Sequence, residues 1–250
     1  MGPRRGRFEA GSESTFRPHS IPFVVFGTLI LWCGFFGFNC GSTLTYSAVA
    51  AQHVGQIGMV TTIAGAAGGV STFLVDFTMA RGDNKSTKYR LVPLTNGILS
   101  GLVAITGVCD ALEPGWAIVV GAVGGILYYY GSNLLVKMKI DDPLDASIVH
   151  GLVGLWGVIS VSIFSVDRGF LYGDDGRQIG FQLLGAVVII AWGGGVIFVL
   201  LTLLNRFKML RTSDSQESRG IDSFSCEGDA YQSDKTKEVV KNIMLNLQEF

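Results

Sequence analysis

DDPLDASIVHGLVGLWG, residues Asp141–Gly157, sets a histidine nine residues after an acidic pair, inside a run otherwise fit for lipid. A strongly polar side chain at membrane depth costs about 3 kcal/mol or more and usually marks a pathway. His150 shares a helical face with Ala146, Gly154 and Gly157, four before, four after and seven after it. That face is small apart from the imidazole, so the ring can enter a gap between helices instead of lipid. His19 and His53 fall near membrane boundaries, and only His150 is placed deep.

The rest of the chain has the composition of a membrane protein. Of 250 residues, 16% are charged and 48% hydrophobic, with 34 glycines, whereas soluble chains carry about 25% charged residues. A helix needs roughly 20 apolar residues to span the hydrocarbon. Six segments satisfy this: Ile21–Asn39, Val54–Ala80, Leu94–Ala111, Gly115–Val136, Pro143–Val166 and Ile179–Asn205. Buried helices of a soluble protein would show polar faces at helical period, and these show almost none. The expected fold is therefore an all-α polytopic membrane protein of six transmembrane helices. It divides into an N-terminal segment, 1–20, a transmembrane domain, 21–206, and a C-terminal tail, 207–250.

Basic residues fall on one side. Arg4, Arg5, Arg7 and Arg17 precede the first span, Arg81, Lys85, Lys88 and Arg90 fill the second linker, and Lys137 and Lys139 the fourth. With the tail from Arg206, 17 of the 19 Lys and Arg share that side. The opposite side holds Asp110, Glu113, Asp167, Asp174 and Asp175 against Arg168 and Arg177. The positive-inside rule then makes both termini cytoplasmic. The first twenty residues are polar and have no apolar signal core. Cys33, Cys40, Cys109 and Cys226 are scattered without metal or pairing spacing, and read as small apolar fillers.

Helix association in lipid relies on small residues that let backbones approach. Gly65 and Gly69, Gly97 and Gly101, Gly121 and Gly125, and Gly151, Gly154 and Gly157 recur at such spacing. In the tail, Val239, Ile243 and Leu247 suit a short amphipathic helix.

Asp142, Pro143 and Asp145 read first as a helix start, with Asp accepting from orphan amides and Pro suiting the first turn. D-D-x-x-D also resembles the magnesium and diphosphate motif of membrane prenyltransferases. That chemistry needs a second acidic cluster on the same side, and Asp174-Asp175 falls on the other. No catalytic residue, cofactor, metal or nucleic-acid partner is expected.

Three blocks carry a family resemblance. LWCGFFGFNCGS (Leu31–Ser42), NGILSGLVAITGVC (Asn96–Cys109) and IDDPLDASIVHGLVGLWG (Ile140–Gly157) resemble, in order and spacing, signature blocks of the ammonium transporter family (Amt/Mep/Rh), closer to its Amt branch. PHSIP (Pro18–Pro22) and RGIDSFSCEGDAY (Arg219–Tyr231) resemble two more of its motifs. The resemblance implies a plasma-membrane homotrimer that moves ammonium or ammonia across the lipid bilayer. Phe38 matches a pore-closing phenylalanine, Ser42 a serine holding ammonium at the outer vestibule, and His150 the second member of a pore histidine pair. In the tail, Gly220, Asp222, Ala230 and Tyr231 match, but Cys226-Glu227-Gly228 stands where the family has His-Gly-Glu.

The family has eleven spans, in two inverted five-helix repeats and a final helix. This chain resembles the second repeat and the last helix. The first repeat's histidine, phenylalanine, vestibule tryptophan and aspartate have no counterpart, and Trp32, Trp116, Trp156 and Trp192 do not match that vestibule role. The leading expectation is an incomplete gene model. A split paralogue, or a short product assembling with a partner that supplies the first half, are the alternatives. In function, the alternative to transport is a non-conducting regulatory or structural subunit that associates with an intact transporter.

Overall fold

A computed structural model describes residues 2–10, 16–44, 47–82, 90–173 and 175–219. The elements of the described residues are helical, in the order α1 (Ile21–Gly41), α2 (Ala48–Gly82), α3 (Leu91–Ile105), α4 (Pro114–Lys137), a π-helical turn (Ser147–Leu152) running into α5 (Val153–Phe164), a short 3-10 turn (Phe170–Tyr172), α6 (Arg177–Arg206) and α7 (Asp214–Arg219). An isolated antiparallel bridge joins Leu112 and Ser165. Of the described residues, one compact unit holds 2–3 and those within 7–194, and a second holds 4–6 and 195–219, so the boundary falls within α6.

Among the described residues, five segments are long and apolar enough to cross a membrane: Ile21–Gly41, Ala51–Met79, Pro114–Lys137, Ser147–Phe164 and Arg177–Arg206. The third expected span, Leu94–Ala111, is shorter as a helix. α3 has 15 residues, and beyond it Val108 N–H donates to the Ile105 carbonyl and Ala111 N–H to that of Val108, both at 3.1 Å, in successive turns. The break is local to Thr106-Gly107, where a Cβ on Gly107 would lie 3.1 Å from the Gly157 carbonyl oxygen of α5.

The bundle is centred on α2, α3 and α4, which meet backbone to backbone. A Cβ on Gly68 would come within 2.8 Å of the Gly101 Cα, and one on Gly121 within 2.7 Å of the Ala64 Cα. Gly97, Gly101 and Gly125 are similarly closed by Thr72, Ala64 and Gly68. Side-chain hydroxyls tie the same crossing: Thr72 Oγ1 donates to the Gly125 carbonyl and Ser71 Oγ to that of Ala122, both at 2.9 Å. Ile57, Val60, Ala64, Ala104, Ile105 and Val120 fill the interior between these contacts. Asn39 of α1 is buried and donates to Thr61 Oγ1 of α2 at 3.1 Å. At the far end of α2 the buried Asp76 carboxylate takes both arms of Arg90, with Nε at 3.0 Å, which joins α2 to the start of α3.

Two expectations are revised. The fifth helix begins at Ser147 and not at Pro143. Pro143 stands in a turn that returns the Asp145 N–H to the Asp142 carbonyl at 3.3 Å. The reason is Asp145, whose φ of 55° is left-handed and breaks a helix at that point. Gly151 and Gly154 are also not close-packing sites: nothing lies within 4 Å of a Cβ on Gly151, and one on Gly154 would reach only Val103, at 4.0 Å. Gly157 does pack, 2.9 Å from the Ala104 carbonyl oxygen.

Candidate functional site

The acidic stretch and the histidine after it are built differently from an ordinary helix start. Asp142 Oδ2 accepts from the Ser147 amide at 2.8 Å and its hydroxyl at 2.6 Å, and Oδ1 from the Leu144 amide at 3.3 Å. Partial burial pushes the Asp142 carboxyl up, but hydrogen bonds from Ser147, Ala146 and Leu144 outweigh it and hold the pKa below its ordinary value. This carboxylate is thus occupied in ordering the turn that leads to His150. Asp145 is used twice: its carbonyl accepts from Ile148 and Val149 at 3.0 and 2.9 Å, and its side chain from Tyr128 Oη at 2.9 Å. Arg7 lies with Nε 3.5 Å from the Asp141 carboxylate and its guanidinium over the rings of Phe8 and Phe16.

From Ser147 the chain winds as a π turn, closed by the Val153 N–H donating to the Ile148 carbonyl five residues back. Wide turns of this kind are rare and tend to occur at functional positions. Ile148 and Val149 are buried while His150 is exposed. The imidazole lines a groove of about 550 Å³ with Phe35 and Phe38 of α1, Val103 and Thr106 at the end of α3, and Gly154 and Gly157 of α5. The lining is apolar except for His150 and the Thr106 hydroxyl, which donates to the Leu102 carbonyl at 2.8 Å.

Phe38 therefore meets His150 on one surface although 112 positions separate them. Phe38 is 59% exposed and its ring stands edge-on to that of Phe35, with centroids 6.3 Å apart. Ser42 lies one turn beyond Phe38, at the end of α1, where its hydroxyl donates to the Phe38 carbonyl at 2.6 Å. Ser42 does not line the groove. Ala146, expected on the His150 face, is likewise outside it, because the π turn takes more residues per revolution than the α-helical spacing assumed. Leu31 and Gly34, also in the lining, were not singled out from sequence; their spacing to Phe35 and Phe38 on one face of α1 was the available signal.

A family model described as the Ammonium Transporter Family matches residues 1–231. The chain belongs to this family. Among curated members it is 38% identical over 223 residues to a putative ammonium transporter of Synechocystis sp., which covers 89% of this chain and 48% of that protein. It is 33% identical to ammonium transporter 1 member 1 of Arabidopsis thaliana, over 92% of this chain and 49% of that protein. Among solved members, a structure titled Sensor Amt Protein superposes with a TM-score of 0.77 at 30% identity, over 90% of this chain and 54% of the other. Candida albicans Mep2 gives a TM-score of 0.71 at 29% identity, over 80% and 45%. The chain spans about half the length of the curated ammonium transporters it matches.

The family tail motif, residues 219–231, lies outside the described residues except for the backbone of Arg219, as do Cys226 and the segment 239–247. Of the other cysteines, Cys33 is exposed, Cys40 half-buried and Cys109 buried. The tryptophans serve the scaffold where they are covered. Trp156 Nε1 donates to the Val120 carbonyl at 3.0 Å, Trp116 Nε1 to Tyr172 Oη at 3.2 Å, and both rings pack on Phe164.

Proposed function

We propose that this chain supplies the second-repeat half of a route for ammonium and ammonia across the cell membrane, with both termini cytoplasmic and His150 lining the route. The observation that carries this is the convergence of His150 and Phe38 on one open, apolar groove. An apolar path opposes a cation, which would lose its hydration, far more than neutral ammonia. Neutral imidazole has one donor and one acceptor, so His150 can hydrogen-bond ammonia or pass a proton without holding a fixed charge. The face of Phe38 favours a cation at the mouth, and Ser42, one turn further out, offers a hydroxyl oxygen that can accept from it. Recruitment of ammonium, its deprotonation, passage of ammonia and relay of the proton follow in that order.

The groove is open on one side, and the matched relatives are about twice as long. A complementary first half, from the same gene product or from a partner, closes the path, and like subunits assemble as a homotrimer. The same openness favours a second reading: a non-conducting subunit that associates with an intact transporter.

Methylammonium accumulation in cells lacking ammonium uptake separates the two. The chain, expressed with a complementary first half, restores accumulation, and His150→Ala removes it. Unchanged accumulation in His150→Ala overturns the pore role. Co-purification with an intact relative, with no transport in any combination, supports the subunit reading.

A further inference from the structure

Tyr128 is a buried tyrosine beneath the helix that bears His150, and the route above gives it no role. Its hydroxyl accepts from Asn96 Nδ2 of α3 at 3.0 Å and donates to Asp145 Oδ2 at 2.9 Å. Asp145 is the left-handed residue whose carbonyl receives the second and third amides of the following helix, those of Ile148 and Val149. A three-membered chain thus runs from α3 through α4 to the residue on which the π turn starts.

The next turn of α4 completes the seat. A Cβ on Gly131 would lie 2.9 Å from side-chain atoms of both Ile148 and Leu152, so these flank His150 and rest directly on the α4 backbone. Asp142 accepts from the amide and the hydroxyl of Ser147, the first residue of the turn. His150 itself is exposed on the groove. Its place is therefore set by the turn beneath it, and that turn is anchored at Asp145 and Gly131.

We propose that Tyr128 is a positioning residue for His150: through Asp145 it holds the start of the π turn and thereby where the imidazole stands on the groove. The consequence for transport rests on the route proposed above; the positioning itself does not.

The test uses the full chain in lipid nanodiscs and two readouts independent of transport. One is amide hydrogen exchange over residues 148–153. The other is the rate at which diethyl pyrocarbonate modifies His150, with His53 as internal reference. Tyr128→Phe keeps the ring and removes the hydroxyl. Asp145→Asn keeps an acceptor and tolerates the left-handed backbone, whereas Asp145→Gly keeps the backbone and loses the acceptor.

Tyr128→Phe and Asp145→Gly should raise exchange about three- to tenfold, the range expected for one lost hydrogen bond, and shift His150 modification relative to His53. Asp145→Asn should stay within about twofold of the parent. Exchange and His150 modification unchanged in Tyr128→Phe, or equal in Asp145→Asn and Asp145→Gly, overturn the proposal; if Tyr128→Phe does not fold, the Asp145 pair decides. Methylammonium uptake measured on the same variants keeps the two ideas apart. A moved His150 with unchanged uptake supports the positioning and counts against the pore role, while an unmoved His150 rejects the positioning whatever the uptake.

Discussion

Replacing Gly101 with alanine should destabilise the bundle by about 3 kcal/mol, the upper end of the range for overpacking a close-packed interior. The added Cβ would meet the Ala64 carbonyl group of α2, with the carbonyl carbon at 2.9 Å and the Gly65 Cα at 3.1 Å. Ordinary Cβ contacts are 3.4–4 Å, and backbone atoms cannot rotate away as a side chain would. α3 must then leave α2 by roughly 1 Å, enough to forfeit a quarter to a half of the dispersion energy at that contact. The nearby crossings of Gly68 on Gly101 and Gly97 on Thr72 open with it. Gly151→Ala is the matched control: it makes the same chemical change with nothing within 4 Å of the new methyl. Reversible unfolding in a bilayer, followed by steric trapping, should show the folded-to-unfolded ratio falling roughly 150-fold for Gly101→Ala and holding within about threefold for Gly151→Ala. A Gly101→Ala chain as stable as its parent, or a Gly151→Ala chain equally weakened, would refute the close-approach account.

Three further outcomes follow from named contacts. Asp142→Ala should cost about 1 kcal/mol through loss of the bonds to Ser147; since the folded Asp142 pKa is depressed, its contribution is present above the unfolded value and lost as pH falls through the folded one, so a loss on raising the pH from 5 to 8 would contradict it. Thr72→Val should lower stability by about 0.6 kcal/mol, the usual size of a side-chain hydrogen bond between membrane helices, and a double-mutant cycle with Gly125→Ala should be non-additive because both act at the Thr72 to Gly125 contact. Glu217 accepts from Arg211 and from the Arg5 amide, which hold its pKa down from 4.5 to about 2. The link is complete above the ordinary glutamate range and lost as pH falls towards 2, so the protection of the Arg5 amide, its exchange rate relative to the intrinsic rate at each pH, should fall across that window and with added salt, and unchanged protection would reject it.

The apolar helices and the family were legible in the sequence because they are one-dimensional. Runs of apolar residues report hydrocarbon thickness, and three motifs in fixed order report common descent. The glycine pairs of α2, α3 and α4 were legible for the same reason, since 3.6 residues per turn converts their spacing into a face. His150 stood out because polar groups are rare at depth. Spacing failed where the helix itself departs from 3.6. The π turn at Ser147–Leu152 depends on Asp145 lying left-handed and on Ile148 and Leu152 settling over Gly131, which are contacts between distant segments.

Tertiary structure alone decided which glycines close a helix contact and which leave room. Gly97, Gly101, Gly121 and Gly125 meet backbone, whereas Gly151 has no neighbour and Gly154 lines the groove. It also decided that Phe38 and His150 share that surface and that Asn96, Tyr128 and Asp145 form one chain of hydrogen bonds. The physical reason is common to all of these. Local sequence sets the pitch and polarity of each helix, but a close approach, a groove or a hydrogen-bond relay exists only once two or three helices have chosen their crossing points.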